Sequence, residues 1–294
     1  MDTKEIIKKV RKVEIKTKKL TNNVFGGEYQ STFKGRGMTF SEVRSYEFGD
    51  DVRTIDWNVT ARYNEPFVKV FEEERELTLM LMVDISGSKL FGSEDQIKKS
   101  IVTEISATLA FSAIQNNDKV GLILFTDQIE LFIPPSKGRS HILRIIRELI
   151  EFKPKNSKTD ISVALEFFSS IIKKKSIAFL ISDFNSEDYE KPLSIVAKKH
   201  DLTGIRIFDK FEEEFPEIGF VSMYDQESKN YKLVDTSSKK IRNFFKSEYL
   251  KKRDFFEKLF KKSGAGVISC RTDQDYVKLL FCLLYTSPSP RDRG

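Results

Sequence analysis

The chain has 294 residues, 39% hydrophobic and 32% charged, which is enough apolar material for a sizeable core and enough charge for a solvated surface. It contains no run of about 18 apolar residues, and residues 1–20 mix acids with bases, so we expect neither a membrane span nor a secretory signal and a cytoplasmic location. Its two cysteines, Cys270 and Cys282, exclude a disulfide framework and a cysteine-based metal site.

The formal net charge is +6, but basic residues are interleaved with acidic ones, as in FEEERE and KSEYLKKRDFFEKLFKK. Such interleaving is typical of solvated helix faces. The sequence also lacks zinc-finger spacing and RNA-binding signatures. We therefore predict that the protein does not bind nucleic acid.

The N-terminal part of the chain differs in composition from the rest. Residues 1–20 are predicted to form a helix. Residues 21–76 then carry glycines among aromatic residues, with Pro66 before FVKVF. This pattern indicates an irregular or β-rich extension and does not indicate a unit of alternating strands and helices.

Apolar runs of strand length follow in chain order at 77–83, 119–125, 176–182, 202–208 and 266–270. They hardly alternate, which is typical of strands buried on both faces of a parallel sheet. Helical patterns separate them at 97–113, 141–152, 161–175, 189–200 and 247–264, the first with a capping box at Ser93 and Gln96. Strands that alternate with helices predict an α/β domain over residues 77–281 with a doubly wound, mostly parallel sheet.

Three further segments depart from this alternation. Residues 129–133 follow the preceding strand after a tight turn, which requires an antiparallel strand at one sheet edge. Residues 220–235 predict a β-hairpin, within an insertion at 212–236. The last residues, 282–294 (CLLYTSPSPRDRG), resemble a translated sequencing adapter. The alternative for this tail is a disordered Ser/Pro-rich segment.

Polar side chains follow two of the predicted strands. Asp84 closes the strand at 77–83 and precedes Ser86 and Ser88, Asp183 closes the strand at 176–182, and Thr159 precedes a helix. Open α/β sheets bind ligands beyond the carboxyl ends of their strands, so these groups should converge if the two strands are neighbours. Carboxylates and hydroxyls form an all-oxygen site that favours Mg²⁺ or Mn²⁺ over Zn²⁺. The alternative is a polar turn without a ligand.

The segments VDISGS, KTDISVAL and ISDF resemble the metal-ion-dependent adhesion site of von Willebrand factor A domains. Directly upstream, GRGMTFSEVRSYEFGDDVRTIDWNVTARYNEPFVKVFEEERE (35–76) resembles the signature of the domain-of-unknown-function 58 family, which is bacterial and archaeal. The resemblance implies a von Willebrand A-like fold for residues 77–281, preceded by a family-specific extension. It also implies a divalent ion held by Asp84, Ser86, Ser88, Thr159 and Asp183.

The same resemblance implies a protein partner. Members of the family are often encoded beside MoxR-type AAA+ ATPases, so we expect the chain to bind such an ATPase through an acidic residue of the partner. The expected role is chaperone-like assembly or activation of other proteins. Many relatives have methionine after the last serine of the ion motif, whereas this chain has Lys89, and a cation there would either weaken metal affinity or favour an acidic partner.

The segment at 35–76 offers a second candidate partner-binding surface. Its candidate contact residues are Arg36, Arg44, Arg53 and Trp57, the last being the only tryptophan of the chain. Protein interfaces are enriched in arginine and aromatic residues. The alternative is an extension held to the α/β domain by ion pairs and by Trp57.

The residues favour a non-enzymatic, metal-dependent protein-binding module. A metal-dependent phosphoesterase-like enzyme is the first alternative. Haloacid-dehalogenase-like enzymes need a second Asp two residues after the nucleophile, where this chain has Ser86, which cannot act as their acid or base. A phosphate-binding loop of the GxxxxGKS or GxxxxGKT type is also missing from the sequence. The remaining alternative is a scaffold whose metal site is empty.

Overall fold

The computed structural model describes residues 38–63, 65–73, 77–86, 94–156, 158–186, 188–214, 216–225, 230–276 and 279. The predicted helix at 1–20, the predicted capping residue Ser93 and the tail at 282–294 lie outside the described residues. The chain divides into two compact units, a small one at Glu28–Leu77 and a large one that contains Thr78–Gly294.

The small unit is built on an antiparallel pair of strands, β1 (Met38–Ser45) and β2 (Phe67–Glu73). A 3-10 turn at Val52–Thr54 and the helix α1 (Trp57–Tyr63) lie between them. Among the described side chains of this unit, Val68 alone is fully buried. The predicted β-rich extension is therefore confirmed, with a core of very limited size.

The large unit alternates strands and helices along the chain. In order, its elements are β3 (Thr78–Asp84), α2 (Glu94–Gln115), β4 (Lys119–Phe125), β5 (Ile129–Ser136), α3 (Arg139–Glu151), α4 (Ile161–Ile171), β6 (Ile177–Ser182), α5 (Glu190–Lys199), β7 (Asp201–Phe208), α6 (Lys210–Glu213), β8 (Phe220–Asp225), β9 (Asn230–Asp235), α7 (Lys239–Lys262) and β10 (Gly266–Arg271).

Six of these strands form one sheet in the order β10-β7-β6-β3-β4-β5. The pairs β10–β7, β7–β6, β6–β3 and β3–β4 are parallel, and β5 is an antiparallel edge strand. The strands β8 and β9 form a separate antiparallel hairpin. The predicted doubly wound, mostly parallel sheet, with its antiparallel edge strand and its inserted hairpin, is therefore confirmed.

Helices cover both faces of the sheet because successive strand residues point to opposite sides. On one face, Met80 and Met82 of β3 join a core with Phe168 of α4 and with Phe256 and Phe260 of α7. On the other face, α2 packs against β3 and β4, and α3 packs against α2. Burial on both faces explains why the strand sequences run apolar without alternation.

One predicted helix boundary was wrong. The last long helix, α7, begins at Lys239, whereas the sequence pattern predicted a start at residue 247. Its buried stripe begins only at Tyr249, and Phe244 in the second turn is 60% exposed. Ile241, Phe244 and Phe245 have the i, i+3, i+4 spacing of a helix, so the sequence prediction missed a pattern that was present in the first turns. In the part of the chain that the structure describes, the helices lack the combined length and apolarity that crossing a membrane requires.

Packing of α7 on the sheet requires glycine at position 204 in β7. A Cβ added there would lie 2.4 Å from Cε1 of Phe260 and 2.9 Å from Cε2 of Phe256. Both rings are fully buried, so neither can move aside easily. We expect Gly204→Ala to lower the free energy of unfolding by about 1–3 kcal/mol, measured by urea denaturation.

Gly121→Ala is the matched control for this substitution. The nearest atom to a Cβ at Gly121 is Sδ of Met80, at 2.5 Å, near the end of a flexible side chain. The control should therefore lose less stability than Gly204→Ala. Equal losses in the two variants would contradict the packing argument.

Candidate functional site

The site lies where β3 and β6, which are neighbouring parallel strands, end at the same edge of the sheet. Their register pairs Val83 with Ile181, so Asp84 and Ser182 are the next residues on each strand. Ser182 Oγ donates a hydrogen bond of 2.6 Å to Asp84 Oδ2 and accepts one of 3.0 Å from the backbone N–H of Phe184. Ser182 was not among the predicted site residues, although its register with Asp84 could have indicated it.

Ser86 connects Asp84 to the loop that carries Thr159. The backbone N–H and the Oγ of Ser86 both donate to Asp84 Oδ1, at 2.9 and 2.6 Å. The same Oγ also hydrogen-bonds to Thr159 Oγ1. Three of the predicted ion ligands therefore present their oxygens to one another. Ser88 lies outside the described residues.

The loop that carries Thr159 is attached to the end of β4. The backbone N–H of Asp160 donates to the carbonyl of Thr126 at 3.0 Å. The Asp160 carboxylate then caps α4 by accepting from the backbone N–H of Ser162 at 2.9 Å. The local sequence T-D-I-S thus fixes the start of the helix and the position of Thr159 together.

Glu130 of β5 holds the preceding part of this loop. Its Oε1 accepts from the backbone N–H groups of Lys155 and Asn156, at 3.2 and 3.4 Å, and from the hydroxyl of Thr126 at 3.1 Å. The Asn156 amide also donates to Asp127 Oδ1 at 2.8 Å. Burial raises the pKa of Glu130, but these hydrogen bonds outweigh it, so the pKa lies below its usual range. The sequence prediction missed this network.

Asp183 is positioned by the residue that follows it. Phe184 has a positive φ of 56°, and its buried ring packs on Phe256 and Phe260 of α7, with centroids 4.2 and 5.2 Å away. The Asp183 carboxylate accepts from the backbone N–H of Asn185 at 3.0 Å. The aromatic core therefore anchors the turn that presents this second carboxylate.

The two carboxylates sit in an environment that opposes negative charge. Burial, followed by the negative charge of Asp183, raises the pKa of Asp84 to about 7, although Ser182 and Ser86 donate to it. Lys98 of α2 contacts Glu212, with 2.5 Å between Nζ and Oε1. Burial lowers the pKa of Lys98, but Glu212 and then Asp183 raise it above its usual range. Ionisation of Asp84 is therefore costly in the folded state, and a cation bound between the two carboxylates would lower that cost.

This donor set fits a hard divalent ion. Asp84, Ser86, Thr159 and Asp183 supply only oxygen atoms, and two of them are carboxylates. Within the described ranges, no group of three or more His, Cys, Asp or Glu side chains could hold a metal ion, so the candidate set depends on hydroxyls beside its two carboxylates. It includes neither histidine nor cysteine, and such a set suits Mg²⁺ or Mn²⁺ better than Zn²⁺.

The predicted partner-binding residues are Lys89, beside the ion motif, and four residues of the segment at 35–76. Of these, Lys89 and Arg36 lie outside the described residues. In the small unit, both terminal nitrogens of Arg44 bind Asp50, at 2.8 and 2.7 Å, so this side chain holds its own turn. Arg53 is exposed, and Trp57 is 67% exposed.

Comparison with known proteins gives a family match. The family model described as "Protein of unknown function DUF58" matches residues 42–255. The protein Rv1480 of Mycobacterium tuberculosis is 27% identical over 280 residues, covering 94% of this chain and 88% of Rv1480.

Solved structures with detectable similarity share little sequence with this chain. BatB of Bacteroides thetaiotaomicron is 14% identical, with a TM-score of 0.44 over 70% of this chain and 95% of BatB. The VWA domain of SpRpn10 is 14% identical, with a TM-score of 0.37 over 73% of this chain and 96% of that domain.

The raised pKa of Asp84 predicts an unusual pH dependence of stability without metal. The folded state retains the proton up to about pH 7, whereas an ordinary aspartate loses it at 3.8. Between these values the folded state binds more protons than the unfolded state, so stability falls as the pH rises. Asp84→Asn removes this titration. At pH 8 with a chelator, the variant should exceed the wild type by about 1–3 kcal/mol in urea denaturation.

Asp188→Asn serves as the control, because Asp188 is exposed and has a positive φ of 62° that asparagine also accepts. It should keep the wild-type pH profile. If the free energy of unfolding of Asp84→Asn falls between pH 5 and pH 8 as much as that of the wild type, ionisation of Asp84 does not destabilise the folded state as predicted.

Proposed function

Because this chain belongs to the DUF58 family, whose model matches residues 42–255, we propose that it is a non-enzymatic protein-binding module that depends on a divalent metal ion. The observation that carries the proposal is the convergence of Asp84, Ser86 and Thr159 oxygens, with Asp183 nearby, at the carboxyl edge of the sheet. Ligand sites of open α/β sheets occur at this edge.

Mg²⁺ or Mn²⁺ is the proposed ion. Asp84, Ser86, Thr159 and Asp183 would hold it, together with Ser88. When bound, the ion supplies an electrophilic position that a further carboxylate can occupy, since two aspartates leave it little net negative charge. An acidic residue of a partner protein is the ligand that this position suits.

The proposed partner is a MoxR-type AAA+ ATPase of the cytoplasm, which this module would assist in chaperone-like assembly or activation of other proteins. The family membership supports this proposal. The small unit offers a second contact through exposed Trp57 and Arg53, and Phe48 and Tyr63 of the same unit are also exposed. Arg36, Arg44 and Lys89 complete the proposed contact residues.

The site chemistry supports binding over catalysis. The residue two positions after Asp84 is Ser86, whose hydroxyl already donates to Asp84 Oδ1. A serine in this position cannot serve as the acid or base that phosphoryl transfer through an aspartate requires. The hydroxyl is better suited to complete the coordination of a hard ion.

Addition of Mg²⁺ or Mn²⁺ should raise the melting temperature of the wild type. At a free concentration of about 100 times the dissociation constant, binding stabilises the folded state by about 2.7 kcal/mol. Asp84→Ala should abolish the gain. Ser182→Ala, which removes the hydrogen bond to Asp84 Oδ2, should weaken metal affinity by about 10–100-fold. Asp188→Asn should behave as the wild type, and equal shifts in the wild type and Asp84→Ala would exclude this ion site.

Capture of a co-encoded AAA+ ATPase should require the divalent ion and fail with a chelator or with Asp84→Ala. Capture that persists in the chelator would move the interface away from the ion site. Mg²⁺-dependent turnover of a phosphoester that is lost in Asp84→Asn would instead overturn the proposal that the protein is not an enzyme.

A further inference from the structure

A cavity of about 260 Å³ adjoins the candidate ion site. Asp84, Ser86 and Asp183 form part of its lining. Most of the remaining lining is apolar and comes from α2, from α3 and the residues after it, and from β7; it includes Val102, Leu149, Phe152, Pro154 and Ile207. The polar side chains of Lys98, Lys99, Thr103 and Ser182 complete it. The metal site that the function requires therefore opens directly into an apolar space.

The cavity is part of the folded frame of the large unit. Val83, Ile181 and Ile207 come from the three neighbouring strands β3, β6 and β7, and all three are buried. Leu149 of α3 is also buried. Opposite, Lys99 of α2 donates from Nζ to the carbonyl of Phe152 at 3.1 Å, which connects α2 to the end of α3. The cavity is thus enclosed between the strands β3, β6 and β7 on one side and the helices α2 and α3 on the other.

The size and chemistry of the cavity suit one large apolar side chain. An apolar cavity of roughly 150 Å³ can hold a molecule of benzene, so a space of this size accommodates a phenylalanine or leucine side chain. Lys98 and Lys99 also belong to the lining, where Nζ of Lys98 binds Glu212 and Nζ of Lys99 binds the carbonyl of Phe152.

We propose that the cavity receives a large apolar side chain of the partner, adjacent to the acidic residue that binds the metal ion. The site then recognises an acidic residue together with an apolar neighbour. This inference rests on the proposed function, because the metal-bound carboxylate brings the segment to the cavity. Since the ion ligands themselves line the cavity, the two side chains must lie within about two residues, or about 7 Å of extended chain.

The test uses two synthetic peptides of identical length, in which a single aspartate is followed by phenylalanine or by glycine. Their affinities for the full chain are measured by titration in Mg²⁺ and in chelator. We expect the phenylalanine peptide to bind at least about tenfold more tightly in Mg²⁺, because it buries a whole apolar side chain. Neither peptide should bind measurably in the chelator.

A cavity-filling variant separates this proposal from the proposed function. Val102→Phe should remove the preference for the phenylalanine peptide and keep the Mg²⁺-induced rise in melting temperature. Ile195→Phe adds the same ring at a position that is 54% exposed on α5 and should keep the preference. If Val102→Phe does not fold, Phe152→Ala provides the second variant, which enlarges the cavity and should lower the preference.

The outcomes distinguish the two proposals. Equal Mg²⁺-dependent binding of both peptides would overturn the cavity proposal and retain the metal-dependent site. Retention of the preference in Val102→Phe would also overturn it, since the phenylalanine would then bind elsewhere. Failure of Mg²⁺ to affect the wild type's melting temperature and peptide binding would overturn the proposed function itself.

Discussion

The parallel pairing of β3 with β6 is the constraint on which the candidate site depends. It aligns the ends of two buried strands, so that the Asp84 carboxylate meets the Ser182 hydroxyl and the charge of Asp183 at one edge. Apolar burial drives the pairing, because both strands are covered on both faces. The forces that form the core therefore also place two carboxylates at one edge, and burial there raises the pKa of Asp84.

The packing behind the site is as important as the site residues. Phe184 takes a left-handed backbone conformation directly after Asp183 and places its ring among Phe256 and Phe260 of α7. These aromatic contacts with α7 thus hold the turn that presents the Asp183 carboxylate. Those contacts in turn depend on Gly204, which leaves room for both rings. The position of a polar group at the edge is determined by close packing in the interior.

Much of this arrangement could be predicted from the sequence. Unalternating apolar runs marked the buried strands, and residues at their carboxyl ends marked Asp84 and Asp183 as candidate ligands. Ser182 and Glu130 were missed, because their roles depend on which strands are neighbours and on hydrogen bonds across loops, which a linear pattern does not encode. The start of α7 was misplaced although Ile241, Phe244 and Phe245 already have helical spacing in its first turns. The cavity beside Val102 could not be foreseen, because it is formed by residues far apart in the chain.

The hydrogen bonds of Glu130 lower the entropic cost of binding an ion at Thr159. Glu130 Oε1 gathers the backbone N–H groups of Lys155 and Asn156, and Asp127 holds the Asn156 amide, so hydrogen bonds within the chain already order the loop before Thr159. Much of the conformational entropy of this loop is therefore lost on folding. Thr159 is therefore preorganised, and binding of an ion would not have to include the entropic cost of ordering this loop.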